Sequence, residues 1–311
     1  MRLSSLAIFL AFSSLFYQTA LANRNNYTKT QYPILLVHGM FGWDQLLGVG
    51  DYFYKIPLAL SQSGTEVFVA RLNPLTSAEL AGEQLLEQVE IILAAFGYKK
   101  IHLFGHSQGA QSSRYVAAVR PDLVASVTSF TGAARGSKVA DLILKIAPDG
   151  SLRSELMQIL GNGVAQLISL FSKTAPPAMP DVLISLKSLS TAGTREFNRR
   201  YPMGLPKTAC GSYKKAQQAN GVLYYSIAGT QQFTHFLDTA DYILRTIHLI
   251  AFKNEKSDGL IGQCASHLGE VIRDDYKINH VDAMNHLYGL SSLDPVPIYR
   301  QAVNRLKVQG L

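Results

Sequence analysis

Cysteine and charge are both scarce in this chain. Only two cysteines, Cys210 and Cys264, occur among 311 residues, and no H-E-x-x-H stretch is present. A zinc centre built on either pattern is therefore excluded. Charged residues make up 16% of the chain against 47% hydrophobic, a balance that excludes a disordered polymer. The 29 basic and 22 acidic residues leave a formal charge of +7, yet no block of five like charges occurs. That excess describes a mildly cationic surface and gives no nucleic-acid-binding face. Internal repeats and low-complexity tracts are missing, and beyond the first residues no apolar run is long enough to span a bilayer.

The start of the chain reads as a targeting segment. Arg2 precedes a short apolar run over residues 6–16, and Ala20-Leu21-Ala22 has the small-x-small form of a cleavage site. The run is too short for an anchor and has no charged stop. Residues 1–22 are thus expected to be a signal peptide, leaving 23–311 as a single mature domain of an exported protein. In that setting an isolated cysteine pair is most simply one disulfide between Cys210 and Cys264. A loop of that length contributes roughly 4 kcal/mol in the chain-entropy account.

Short apolar runs alternate with helix-like segments through the first half. The runs are Ile34-Leu35-Leu36-Val37, Val67-Phe68-Val69-Ala70, residues 101–104 and residues 124–130; residues 82–95 and 112–120 between them carry helical spacing. Such alternation predicts an α/β fold, a mostly parallel sheet with helices on both faces, whose site lies beyond the carboxyl ends of the strands. Residues 152–171 differ. Leu156, Ile159, Leu160, Val164, Leu167, Ile168 and Phe171 recur at helical spacing before a proline-rich break at Pro176-Pro177. By spacing alone this is a core helix more readily than a lid.

Chemistry enters at Gly105-His106-Ser107-Gln108-Gly109, which fits G-x-S-x-G and directly follows the third apolar run. Strand, tight glycine-flanked turn and helix together form a nucleophile elbow that projects the serine hydroxyl out of the fold. A serine needs a base, and the base an orienting acid. In α/β-hydrolases the acid and then the histidine follow the serine along the chain. Downstream stand His235, His248, His267, His280 and His286. Asp258, in a polar turn before Leu260-Ile261, and His280, after Glu270-Val271-Ile272, both read as loop positions that follow late strands; His267 and His286 fit the order too. Acyl transfer also needs two oxyanion donors. The backbone N–H of Gln108 is one, and the His38-Gly39-Met40 loop is placed to give the second. His38 and His106 read as loop-orienting residues. Asp238, Asp241, Asp274, Asp275 and Asp282 crowd the last third, an oxygen-rich set that suits calcium, although composition alone favours solvated surface acids.

Taken together, Tyr32-Pro33-Ile34 through Gly42, the elbow, Arg114-Tyr115-Val116-Ala117, Arg120-Pro121-Asp122-Leu123, Ser257-Asp258-Gly259-Leu260, Ser266-His267-Leu268-Gly269 and Asn279-His280-Val281-Asp282 resemble the secreted true lipases of Pseudomonas and Burkholderia over nearly the whole mature chain. The resemblance implies a secreted triacylglycerol lipase on an α/β-hydrolase fold with a helical lid at about 150–180. It implies Ser107 as nucleophile, His280 as base, Asp258 as orienting acid and the amides of Met40 and Gln108 as oxyanion hole. One structural Ca²⁺ is implied, held by Asp238, Asp282 and the backbone carbonyls of His286 and Leu290, as are a Cys210–Cys264 disulfide, a lipase-specific foldase partner and passage through the periplasm to the exterior. On this reading 152–171 is the lid.

Three positions depart from the family. His286 stands where glutamine is usual. The segment Thr131-Gly132-Ala133-Ala134-Arg135-Gly136-Ser137 lacks the family's Pro-His pair and is one residue shorter, and Ala110 replaces a common glycine. Two further functions fit the same elbow: a short-chain carboxylesterase or acyltransferase of the same fold, and a catalytically inactive binding protein.

Overall fold

A computed structural model describes residues 26–40, 42, 52–146 and 179–311. The expected signal peptide and the 152–171 helix lie outside the described residues. Within them, six parallel strands form one sheet: β1 (Ile34–Val37), β2 (Val67–Val69), β3 (Ile101–His106), β4 (Val124–Phe130), β5 (Leu223–Gly229) and β6 (Glu270–Tyr276), in the order β2-β1-β3-β4-β5-β6. The helices are α1 (Ile56–Gln62), α2 (Ala78–Phe96), α3 (Gln108–Val119), α4 (Lys138–Ile146), α5 (Met179–Leu189), α6 (Thr191–Arg200), α7 (Thr239–Ala251), the single turn α8 (His286–Gly289) and α9 (Val296–Val308).

The sheet divides its side chains with a period of two, as a pleat requires. Ile34, Leu36, Phe104, Phe130, Tyr225 and Ile227 enter one apolar cluster with α1, α4, α7 and α9. Leu35, Val37, Ile101, Leu103, Val127 and Tyr224 enter another with α2 and α3. Helices thus cover both faces, and β1, β3 and β4 are buried along their whole length. This is why those strands read as continuous apolar runs. In register, Val37 lies beside Gly105, His106 beside Phe130, and Phe130 beside Ile227. The segments following β1, β3, β4 and β5 therefore emerge at one sheet edge.

The expectation that a strand runs directly into the Asp258 turn is corrected. Helix α7 precedes that turn, and Leu260-Ile261 is not a strand. β5 was not legible as an apolar run because Ser226 sits at its centre. The Ser226 hydroxyl is satisfied by accepting from Leu268 N at 3.0 Å, so a polar residue is tolerated in a buried strand. The helices read from residues 82 and 112 start earlier, at Ala78 and Gln108: Ser77 caps the first by accepting from Leu80 N, and α3 springs straight from the elbow without a side-chain cap. Cys210 and Cys264 are joined in a disulfide, with Cα atoms 4.5 Å apart, linking the loop before β5 to the 3₁₀ turn (Gln263–Ser266) before β6.

Candidate active site

Ser107 occupies the turn between β3 and α3 with φ 55° and ψ −126°. Serine rarely adopts this conformation, and holding it costs about 1–3 kcal/mol, which the surrounding structure must supply. Ser107 N donates to Phe130 O at 3.2 Å and Ala110 N donates to Ser107 O at 3.2 Å. The elbow closes only because its neighbours have no side chain. A Cβ on Gly105 would come within 2.5 Å of the Ala110 backbone, one on Gly109 within 2.3 Å of Val37 O, and one on Gly39 within 2.6 Å of Ser107 Cβ. The loop after β1 therefore presses against the serine, with Met40 next along it. Gln108 opens α3, so its amide belongs to the unpaired N–H groups at the positive end of the helix. Its side chain is occupied elsewhere, donating to Thr76 O at 2.8 Å.

Asp258 and His280 meet as a buried pair, His280 Nδ1 to Asp258 Oδ2 at 2.8 Å. Asp258 Oδ1 also accepts from Leu260 N at 3.0 Å and Ile261 N at 2.7 Å, and His280 N donates to Asp258 O at 3.0 Å. The carboxylate is thus fixed on both oxygens. With Nδ1 as donor, Nε2 of His280 is left as the basic nitrogen. His267 forms a second histidine–aspartate contact, to Asp274 at 2.8 Å, but its other nitrogen binds Gly211 O at 2.9 Å. With both nitrogens committed it has none to offer as a base. His248 binds Ser257 Oγ at 2.7 Å, and His235 stacks on Phe236.

A connection not read from the sequence runs through Tyr52. Gly39 N donates to Tyr52 Oη at 3.1 Å, the Tyr52 hydroxyl meets His106 Nδ1 at 2.7 Å, and His106 Nε2 meets His280 O at 3.0 Å. The direction follows from the donors: Tyr52 gives its proton to Nδ1, and Nε2–H donates to the carbonyl. Burial, with the neighbouring His280 and His38, holds His106 well below the usual histidine range and so neutral. The loop after β1, the elbow and the loop of His280 are therefore tied by one hydrogen-bonded chain. His38 is structural as expected: its Nε2 accepts from Leu72 N at 3.1 Å and its Nδ1 contacts Gly39 O at 3.0 Å. Tyr52 carries no motif and lies far from the elbow in sequence, so only the fold reveals it.

Asp238, Asp241 and Asp282 are all buried and bring one oxygen each within 4.8 Å of one another. Asp241 is saturated: Oδ2 accepts from Thr234 N and from His235 N at 2.6 Å, and Oδ1 from Asn279 Nδ2 at 2.6 Å. Asp238 uses Oδ1 to cap α7 through Ala240 N at 2.8 Å, while its buried Oδ2 has no hydrogen-bond partner. Asp282 Oδ2 accepts from Thr234 Oγ1 and Asn279 N, both at 2.9 Å. Burial pushes Asp238 up to about 6 and Asp282 up to about 7. Three carboxyl groups buried together, one with an orphaned oxygen and none in a salt bridge with Lys or Arg among the described residues, fit a hard divalent ion. His286, in α8, and Leu290 lie on the loop that continues from Asp282. Asp241, one of the acids the sequence groups here but outside the ligand set that the resemblance implies, braces the Thr234 and Asn279 loops.

The altered 131–137 segment also has a physical form. Thr131 takes φ 47°, with its amide donating to Ile227 O at 2.8 Å. A Cβ on Gly132 would come within 2.5 Å of Ala110 Cβ. The methyl of Ala110 is thus accommodated by glycine across the contact. Arg135 crosses to the disulfide loop, donating to Pro206 O and, at 3.1 Å, to Thr208 O.

A family model described as alpha/beta hydrolase fold matches residues 32–238. The chain is 49% identical over 294 residues to a triacylglycerol lipase of Vibrio cholerae serotype O1, covering 93% of this chain and 92% of that protein. It is 38% identical over 293 residues to a triacylglycerol lipase of Pseudomonas fragi, covering 91% and 98%. Among solved structures, a Bacillus licheniformis lipase superposes with a TM-score of 0.60 at 18% identity, covering 88% of this chain and 91% of that one. That last likeness is one of fold.

Proposed function

The chain is a member of the α/β-hydrolase family and, within it, of the group of bacterial triacylglycerol lipases, and on that premise we propose that it hydrolyses long-chain acylglycerols through a Ser107–His280–Asp258 triad. The observation that carries the reading is the buried His280–Asp258 hydrogen bond at 2.8 Å, at the same sheet edge as a serine held in a strained elbow. Ser107 Oγ attacks the ester carbonyl while His280 Nε2 takes its proton. The tetrahedral oxyanion is received by the backbone N–H groups of Met40 and Gln108. Collapse breaks the ester C–O bond, and His280 returns the proton to the departing alcohol oxygen. A water then loses a proton to His280 and attacks the acyl-serine, releasing the fatty acid and restoring Ser107. Asp258 stays ionised and fixes the imidazole orientation throughout.

Asp238 and Asp282, with the carbonyls of His286 and Leu290, are the residues we assign to a structural Ca²⁺. The ion would neutralise the buried carboxylates. Asp282 lies two residues past His280, so the same residues steady the base without joining the chemistry. Residues 1–22 would direct export, with a foldase assisting in the periplasm. Among the described residues no helix is long and apolar enough to cross a membrane.

The test is turnover of triolein emulsion and tributyrin, with and without calcium, by the parent and by Ser107→Ala. The parent should cleave both, and the variant neither. Normal turnover by Ser107→Ala would falsify the mechanism; a strong preference for short soluble esters would move the reading to a carboxylesterase.

A further inference from the structure

Large apolar side chains exposed elsewhere among the described residues stand mostly singly or in pairs on helix faces, as is ordinary. One corner differs. Phe236 and Leu237, on the loop after β5, are 67% and 62% exposed, and Tyr242, in the first turns of α7, is 53% exposed. These three form one knuckle: the Tyr242 hydroxyl donates to Phe236 O at 3.0 Å, and its ring meets Phe233 edge-on at 5.0 Å.

The knuckle is held firmly. His235 N donates to Asp241 at 2.6 Å, Asp238 N to His235 O at 3.0 Å, and Asp238 caps α7. The same loop is bound to the segment that carries His280. Thr230 N donates to Tyr276 O at 3.0 Å, Gln231 N to Ile278 O at 3.3 Å, and Thr234 Oγ1 to Asp282 at 2.9 Å. Exposed apolar groups are thus carried on the same braced block as the base, at the sheet edge where the ester must arrive. Apolar tips fixed in water are unfavourable unless something covers them.

Charge identifies the cover. Around the knuckle the acids Asp238 and Asp241 are buried, while Arg245, one turn along α7 from Tyr242, is exposed. Exposed aromatic and aliphatic tips beside a cation, with the acids of their own loop buried, match a lipid surface of negative charge. Hydrolysis of an acylglycerol makes such a surface, because each cleaved ester leaves a carboxylate among the lipids.

We propose that Phe236, Leu237 and Tyr242 form a docking knuckle that seats the protein on an anionic lipid surface, separate from the residues that engage the scissile ester. The proposal rests on the lipase reading above. Its test uses the full mature Ser107→Ala protein in calcium buffer, sedimented with phosphatidylcholine vesicles containing oleate. Phe236→Ser with Leu237→Ser, added to Ser107→Ala, should weaken binding about tenfold or more, from the apolar area withdrawn. Vesicles without oleate should bind the Ser107→Ala protein more weakly. In the active chain the same pair of changes should leave turnover of a soluble short-chain ester unchanged while slowing triolein emulsion hydrolysis.

As a second measurement, the indole introduced by Phe236→Trp should be quenched by brominated lipid beyond the level of the parent. Undiminished vesicle binding by the double variant, or no added quenching, overturns the proposal. So does loss of a dimer in the double variant with vesicle binding intact, which would make a second copy the occupant. If the double variant fails to fold, the quenching result decides. Absence of ester turnover in the unaltered protein would instead overturn the lipase reading, and is read separately from vesicle binding.

Discussion

Removing calcium should destabilise the protein strongly at pH 8 and weakly at pH 5. Asp238 and Asp282 are 1% and 2% exposed, and burial raises their titration to about 6 and about 7 from the usual 3.8. In the unfolded chain both lose their protons near 3.8, whereas the metal-free fold keeps them until pH 6 to 7. Between those limits the fold binds more protons, so metal-free stability falls as pH rises and the loss is complete above pH 7. At about 1.4 kcal/mol per pH unit, the two groups together cost at most about 7 kcal/mol once ionised, less what solvent screens at Asp238, comparable with the whole stability of many domains, about 5–15 kcal/mol. A calcium ion bound between them would remove that cost by pairing both carboxylates. Thermal unfolding from pH 5 to 8, with calcium or with EDTA, should show a gap in Tm that widens with pH to about 10–20 °C. Asp238→Asn keeps the cap on Ala240 N but removes the charge. With EDTA at pH 8 it should melt above the parent and should no longer respond to calcium. A chelator effect that does not change with pH, or an Asp238→Asn protein that melts lower than the chelated parent, would refute the reasoning.

Three further outcomes follow from the geometry. Asp258→Asn leaves the fold intact but loses the carboxylate that sets the His280 tautomer, so kcat for tributyrin should fall about 10³–10⁴-fold with circular dichroism unchanged. Tyr52→Phe strands the buried Gly39 N–H and His106 Nδ1, which should cost about 1–3 kcal/mol in denaturant unfolding and reduce kcat more than it alters KM. Replacing Cys210 and Cys264 with serine opens a link spanning 54 residues, and urea titration should register a loss of about 4 kcal/mol; equal stability with and without reductant in the parent would count against it.

What could be read in advance tracks how local the cause is. The buried central strands β1, β3 and β4 announced themselves because both of their faces are covered, so every residue type on them is constrained. β5 and α7 did not. Ser226 finds its partner in Leu268, forty-two residues away, and nothing near it in sequence signals that its hydroxyl will be satisfied. The elbow was legible because its glycines and serine are adjacent. Order along the chain leaves His267 and His280 open, and the family resemblance points to His280. In the fold both meet an aspartate, and the carbonyl of Gly211 occupies the second nitrogen of His267.

Adjacent residues, or a period along one strand or helix, carry the sheet class, the elbow with its glycines and the likeness to bacterial lipases, so these are legible before any fold is known. The fold was needed to find that Tyr52 binds Gly39 to His106, and that Asp241 braces while Asp238 keeps an oxygen free. These are matters of which donor reaches which acceptor across the fold. Hydrogen bonds of about 3 Å discriminate between atoms that sequence distance treats as equivalent.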